Sequence, residues 1–374
     1  MGKCLMIQFS LAREQLLKPL QLVSGVVEKR QTLAVLSNVL LQVEGSQLSL
    51  TGTDLEVELI GRVVLSEPAT DGLITVPAKK FLDIVRSLPD DAIIRVHQQD
   101  DKVLVTSGRS KFTLSSLSAG EFPNVEQDSG SDNFEMPQKV LAQLIGATAF
   151  AMAQQDVRYY LNGMSLELNQ SMVRTVSTDG HRLAMSSRHV EGLNVPERKQ
   201  VIVPRKGILE LNRLLADDQQ MVQLYIGATH LRATTADFSF TTKLVDGKFP
   251  DYDRVIPRGG DKEMIGDRQV LKSIFSRAAI LSNEKYRGVR MTLSQGNLVV
   301  KANNPEQEEA EVAVEVDYSG PDIEVGFNVS YLLDVMNVVH GDQVRFVLAD
   351  ANSSALLTDF DDDASAYVVM PMRL

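Results

Sequence analysis

One junction recurs three times along the chain, and it limits the folds available more than any other feature. Val76-Pro77-Ala78-Lys79-Lys80-Phe81-Leu82-Asp83-Ile84-Val85-Arg86-Ser87-Leu88 reads as an extended segment, a proline, two cations, then apolar residues at helical spacing. Val203-Pro204-Arg205-Lys206-Gly207-Ile208-Leu209-Glu210-Leu211-Asn212-Arg213-Leu214-Leu215 repeats it, and Phe327-Asn328-Val329-Ser330-Tyr331-Leu332-Leu333-Asp334-Val335-Met336 is a fainter third copy. Proline suits such a junction because its fixed φ is compatible with a helix's first turn. The units also close alike, on Phe122-Pro123-Asn124-Val125, Phe249-Pro250-Asp251-Tyr252 and Met370-Pro371-Met372-Arg373-Leu374. The period is about a third of the chain, far beyond the roughly 20–50 residues of solenoid repeats. The pattern predicts one domain copied three times, over 6–126, 134–250 and 251–374.

Within each copy the periodicity predicts an opening amphipathic helix, over 11–27, 139–155 and 267–287. Strand patterns follow, such as the alternating run 48–59, and then the repeated second helix. Four more strand patterns close the unit, for example 93–97, 103–107 and 111–115. Polar stretches 127–133 and 258–262 read as linkers. Strands and helices are segregated, which points to an α+β fold with antiparallel sheets.

The 374 residues include a single cysteine, Cys4, which excludes an internal disulfide and a cysteine-built zinc site and fits a reducing cytoplasm. No apolar run approaches the roughly 20 residues of a membrane span. The N-terminus is too short for a signal peptide, and Met6 is an alternative start. Net charge is −11, yet the helical segments with their flanks, 11–30, 79–88, 139–155, 205–215, 267–287 and 330–339, carry +9 between them and the remainder −20. A basic helical surface within an acidic protein is the expectation.

The stretch Gln154-Gln155-Asp156-Val157-Arg158-Tyr159-Tyr160-Leu161-Asn162-Gly163 has two readings. Its amides, guanidinium and phenols can bond phosphate, and its rings can stack on bases. Alternatively the tyrosines are core and Arg158 is a solvated cap. The five histidines lack metal-ligand spacing, and neither a phosphate-cradling glycine loop nor a nucleophile elbow is present. Asp361-Asp362-Asp363 reads as a hydrated turn, and Thr178-Asp179-Gly180-His181-Arg182 as a tight turn. The apolar end Tyr367-Val368-Val369-Met370-Pro371-Met372-Arg373-Leu374 is either a last strand running to the final residue or one wall of a peptide groove. A hydrolase or transferase lacks its nucleophile and base here, and a sequence-specific DNA reader lacks an Arg- and Asn-rich recognition helix.

From residue 6 to 374, and most specifically over 155–163, 178–183, 238–252, 280–290, 303–311 and 368–374, the chain resembles the bacterial β sliding-clamp family, the processivity subunits of DNA polymerase III. The resemblance implies three tandem DNA-clamp domains, each with two helices on antiparallel sheets, and a head-to-tail dimer closed into a six-domain ring around duplex DNA. It implies no enzyme activity, no cofactor and no metal. The DNA-contacting positions would be Arg30, Lys79, Gln155, Tyr159 and Tyr160; many relatives have Arg where Lys79 stands. A groove for short linear motifs would be formed by Leu161, Thr178, Gly180, His181, Arg182, Leu183, Pro250, Arg254, Val255, Ser354, Val368, Met370, Pro371, Met372, Arg373 and Leu374. Asn352 replaces an apolar residue of some relatives. The groove's partners would be the polymerase III catalytic subunit, the clamp loader, other polymerases, and repair or initiation-control factors; a membrane is not among them. The dimer interface would join Phe112 and Leu114 to Ile280 and Leu281, with Lys80, Lys102 and Arg109 facing Glu306, Glu308 and Glu311. Val312 stands where some relatives have an acid.

Overall fold

The computed structural model describes residues 6–27, 33–123, 132–215 and 220–373. Six α-helices carry the threefold pattern: α1 (Arg13–Ser24), α2 (Ala78–Ser87), α3 (Gln138–Thr148), α4 (Arg205–Leu214), α5 (Arg268–Ala279) and α6 (Val329–Val338). Each repeat runs strand, helix, a meander of strands, helix, three strands. The strand–proline–helix junctions stand where the sequence places them, at Pro77 and Pro204, and the third, at Asn328, is capped by that side chain accepting from Ser330 N at 2.9 Å. Their equivalence extends to hydrogen bonding. The first residue of each opening helix donates its N–H to the turn after the second helix: Arg13 to Ala92 O (2.8 Å), Gln138 to Gln220 O (2.9 Å) and Arg268 to Asp342 O (2.8 Å). Arg13 Nε also reaches Val85 O at 2.9 Å, and Arg268 Nη1 reaches Met336 O at 3.3 Å. A cation thus meets the carbonyl end of the closing helix in the first and third repeats, where the dipole favours it, while the second repeat has the uncharged Gln138 at that position.

Several expected boundaries move. The opening element of each repeat is a short strand, Gln8–Ala12, Asp132–Pro137 or Lys262–Asp267, so the ends of both expected linkers are strand. That strand is the fourth of the closing set, and three strands, rather than four, follow each second helix. Leu11 and Ala12 pair with Ile94 and Ile93 instead of opening α1. The run 48–59 is two strands, Gln47–Thr53 and Val57–Val64; Asp54 Oδ1 accepts from Glu56 N and Val57 N, and Leu55 turns the chain at φ 78°. α3 stops at Thr148 because side chains take the next carbonyls: Arg182 Nη2 binds Phe150 O at 2.8 Å and Arg205 Nη1 binds Met152 O at 3.3 Å. α5 stops at Ala279, and Asn283 Oδ1 then accepts from Lys285 N and Tyr286 N. The last strand, Ser365–Val369, ends before the tail: Met370 N bonds His181 O at 3.0 Å and Met372 N bonds Gly326 O at 2.7 Å.

The chain forms two compact units, Met1–Gln138 with Leu209–Leu244, and Lys139–Ile208 with Val245–Leu374. Each holds one four-stranded sheet and one long sheet shared between repeats. In the first unit, Val57–Val64 of the first repeat pairs antiparallel with Phe238–Lys243 of the second, completing eight strands. In the second, Arg182–His189 pairs with Ser365–Val369, within nine strands. The helices pack their apolar stripes on these sheets: Leu16, Leu20 and Val23 of α1, and Leu271, Ile274 and Phe275 of α5, are fully buried. α1 comes unusually close. A Cβ on Gly52 would lie 2.8 Å from Val23 Cγ1 and 2.9 Å from Val23 O, and one on Gly61 would lie 2.9 Å from Pro19 Cβ. Gly52→Ala should therefore push α1 outward and cost about 1–3 kcal/mol, the usual size of core overpacking. Thermal denaturation checks it, and an unchanged midpoint would show that the close approach is not a constraint.

Candidate partner groove, DNA-contacting loop and edge strands

In the second unit, a patch of side chains expected to act together is brought together by strand register. Thr175 faces α3, its hydroxyl donating to Leu144 O at 2.9 Å. Alternation puts Val176 on the opposite face, and the pairings add Met185 to that face from the next strand. Leu183, two residues before Met185, and its partner Val368 share the face, as does Leu356 opposite Val368. Val176, Leu183, Ile202, Phe249, Tyr252 and Val368 form one buried cluster, with Tyr160, Met185, Val245, Ile256 and Leu356 packed against it. Phe249 and Tyr252 hold the segment that carries Pro250, Arg254 and Val255 over this face. Val255 and Met370 remain 37% and 38% exposed at its rim, an apolar fringe open to solvent. Ser354 and Pro371 are half-buried, and Arg373 is exposed. Leu374 lies outside the described residues.

The turn Thr178–Arg182 is the tight turn its glycine suggests, with Gly180 at φ 88°. Asp179 Oδ1 accepts from His181 N (2.9 Å) and Arg182 N (3.0 Å), and Thr178 Oγ1 donates to Arg182 O (2.6 Å). His181 is exposed. Arg182 is directed inward. Its guanidinium binds Asp179 Oδ2 at 3.1 Å, Asp334 Oδ2 and Phe150 O, and lies 4.5 Å from the Tyr331 ring centre. It braces the groove rather than presenting charge to a ligand.

The loop before Leu161 is built by a clip that sequence spacing does not reveal. Asn162 accepts from Asp156 N and donates to Asp156 O, both at 2.8 Å. Arg158 binds Asp156 through Nε (3.0 Å) and Nη2 (2.9 Å), and Nη2 also reaches Asp179 O at 3.2 Å. Glycine suits position 180 because of its φ of 88°, and a Cβ there would also lie 2.8 Å from Arg158 Nη2. Arg158 is therefore a local brace. Gln155 is exposed with φ 57°, and Tyr159 is 58% exposed, its ring edge-on to the half-buried Tyr160 at 5.7 Å. The two readings of the tyrosines divide: Tyr160 packs on the apolar cluster, and Tyr159 faces solvent. Leu161 is buried beneath them.

In the first unit, Lys79 and Lys80 are exposed in the first turn of α2. Arg30 lies outside the described residues. With the observed boundaries, the six helices still carry net +8 against −11 for the whole chain. Phe112 and Leu114 lie on Ser110–Ser115, an edge strand of its four-stranded sheet; Lys102 starts the adjacent strand, and Arg109 is in the turn between them. In the second unit, Glu311 lies on Glu309–Glu315, an edge strand of the other four-stranded sheet, paired with Lys301 at 2.7 Å. Glu306 and Glu308 are exposed just before it. Ile280 and Leu281 follow α5 instead of lying within it, and Ile280 is 76% exposed. Asp361–Asp363 forms the turn between the last two strands, with Asp362 bound to Arg188 at 3.1 Å. Among the described residues, no group of three or more His, Cys, Asp or Glu could hold a metal ion, and no helix is long and apolar enough to cross a membrane.

Three family descriptions match in tandem: the DNA polymerase III beta subunit N-terminal domain over residues 7–126, its central domain over 135–251 and its C-terminal domain over 253–373. The beta sliding clamp of Pseudomonas aeruginosa is 63% identical over 98% of this chain and all of the relative. That of Pseudomonas putida is 62% identical over the same shares. The crystal structure of the P. aeruginosa DnaN sliding clamp bound to griselimycin superposes with a TM-score of 0.96, covering 99% of this chain and all of that one. By sequence and by fold, the chain belongs to the DNA polymerase III beta subunit family, the bacterial sliding clamps.

Proposed function

We propose that this chain, as a sliding clamp, tethers the replicative polymerase by closing with a second copy into a ring around duplex DNA. It would act in the cytoplasm, through three domains bounded at 6–126, 134–250 and 251–374. The observation that carries the ring is the repetition of one joint. Each shared sheet joins the third meander strand of one repeat to the last strand of the next: Leu59 opposite Phe240, and Ala184 opposite Tyr367. The corresponding strands left at sheet edges are Glu309–Glu315 and Ser110–Ser115. Copying the register across two molecules sets Ala310 against Phe112 and Glu311 against Lys111 of the second copy. Lys111, which sequence reasoning passed over, joins Lys80, Lys102 and Arg109 as the basic side facing Glu306, Glu308 and Glu311. A head-to-tail contact closes into a ring only if its rotation allows, and closure at two subunits would give six domains.

The excess of positive charge on helices supports a DNA-facing lining. Duplex DNA presents a phosphate charge about every 1.7 Å, and enclosure by scattered cations holds it without reading bases. Arg30, Lys79, Gln155, Tyr159 and Tyr160 are the contacting positions. The groove of Leu161, Thr178, Gly180, His181, Leu183, Pro250, Arg254, Val255, Ser354, Val368 and the tail 370–374, braced by Arg182, takes short motifs. The polymerase III catalytic subunit, clamp loader, other polymerases and repair or initiation-control factors share it, one per subunit at a time.

Replacing Ile280 and Leu281 by Ala should convert the dimer to monomer in analytical ultracentrifugation. The wild type, once loaded, should stay on nicked circular DNA and leave when the circle is cut; retention on the linear duplex would sink the ring. Deleting residues 370–374 should abolish polymerase stimulation while the dimer persists. Arg158 holds the Asp156 carboxyl down to about 2, chiefly through its side-chain hydrogen bonds. A depressed folded pKa means that the clip is fully present above the ordinary carboxylate range of about 4 and is lost as pH falls through about 2. An Asp156 midpoint near 4 by NMR would contradict the clip.

A further inference from the structure

The sheet face that carries the groove has a second half, and it is polar. Glu167 and Arg174 lie opposite each other, Gln200 lies opposite Glu167, and Ser187 lies opposite Arg174, so register places all four beside the apolar cluster. Glu167 is only 5% exposed. A buried carboxylate needs partners, and it has four: Tyr252 Oη donates to Oε2 at 3.0 Å, Arg198 Nη2 binds Oε2 at 2.9 Å, Gln200 Nε2 binds Oε1 at 2.9 Å, and Ser165 Oγ donates to Oε1 at 3.5 Å. Arg174 Nη1 donates to Tyr252 Oη at 3.0 Å, and its Nε is held by Ser187 Oγ at 2.8 Å. Tyr252 therefore has two attachments. Its ring packs with Leu183 and Val368 in the apolar half, and its hydroxyl is fixed in the polar half.

We infer that Glu167 is a positioning residue for partner recognition. Acting through the Tyr252 hydroxyl, it sets where the segment carrying Pro250, Arg254 and Val255 lies over the sheet, and so sets the width of the groove. Glu167 itself touches no ligand. The inference rests on the groove reading above. The apolar contacts of Phe249 and Tyr252 keep the segment on the sheet but resist sliding poorly, because they are non-directional. The hydroxyl–carboxylate bond is directional, charge-assisted and shielded from water, so it supplies the missing registration. Burial raises the Tyr252 pKa, which keeps the phenol a donor at neutral pH. Asp251 and Arg254 pair at 2.8 Å on the exposed side of the same segment, where solvent screening leaves the pair little ordering power.

The probe is the polymerase III catalytic subunit, titrated onto the dimeric clamp at a temperature where every variant is folded by circular dichroism. Tyr252→Phe should weaken binding about fivefold and Glu167→Gln about tenfold, the size of one or two net hydrogen bonds. The double variant should bind no more weakly than Glu167→Gln, because both changes act through one bond. Amides of residues 249–256 should exchange faster in Tyr252→Phe, and Arg198→Ala, which leaves the Tyr252 bond intact, should stay within about twofold of wild type. If Glu167→Gln fails to fold, Tyr252→Phe alone decides. Wild-type affinity in Tyr252→Phe, alongside loss of binding on deleting 370–374, would overturn the positioning role and leave the groove standing. If the deletion also binds normally, the groove reading falls first. Strictly additive losses in the double variant would show two independent effects and refute the shared bond.

Discussion

Backbone groups at a sheet edge demand partners, and this protein is organised by how it meets that demand. A β-strand at an edge presents a row of unpaired N–H and C=O groups, a template for any other strand. The first repeat gives one such edge to the second, and the second gives one to the third. The result is two long sheets that belong to no single repeat. The same pattern leaves the counterparts of those joined strands, Ser110–Ser115 and Glu309–Glu315, at edges of the two four-stranded sheets, one bearing Lys111 and the other Glu309, Glu311 and Glu315. In the proposed ring, complementary charge on two strands that are counterparts of an internal joint would give assembly a direction and oppose self-pairing of like edges.

The second organising element is a set of arginines used as internal braces. Arg13 and Arg268 close the ends of α2 and α6, and Arg213 Nη2 reaches Leu22 O at the end of α1 at 3.1 Å. Arg182, with a side chain 13% exposed, ties the turn at Asp179 to Phe150 and Asp334. A planar five-donor fork suits such multi-point bracing, where lysine would offer a single point charge. Removing a partner of a buried pair typically costs about 3–5 kcal/mol because the other charge is left stranded. These guanidiniums are thus poor candidates for ligand contacts even where they border a groove, which separates them from exposed Lys79 and Lys80.

Much of this was legible beforehand, for identifiable reasons. The repeat, the α+β class and the strand–proline–helix junctions are local patterns, and Pro77 and Pro204 mark their places. The helical charge excess survives the corrected boundaries because the charges on the trimmed ends nearly cancel. Helix ends were misread where tertiary contacts outweigh propensity: an Ala-rich run through Gln155 looks helical until Arg182 and Arg205 take its carbonyls. The run 48–59 keeps its alternation across a turn that Asp54 makes with its own side chain. Arg158 looked like a phosphate ligand because its acceptor, Asp156, is two residues away, a spacing equally compatible with solvent. Glu167 gave no signal, since an acid in an alternating strand normally faces water and Tyr252 is 85 positions distant. Lys111 became visible only when the register of one joint could be laid on another.

The sharing of sheets bears on how the chain can be dissected in the laboratory. The middle repeat matches a self-contained family domain over 135–251, yet its strands are built into two different sheets. Cut out as a recombinant fragment, it would bare Phe238–Lys243 on one flank and Arg182–His189 on the other, each with a row of backbone N–H and C=O groups left without partners. Such a fragment is a poor reagent: it would precipitate or pair with itself, and its behaviour would report on the cut rather than on the repeat. Ending the chain at 244 would keep Phe238–Lys243 paired with Val57–Val64 but would still bare Arg182–His189, so only the whole chain preserves both pairings.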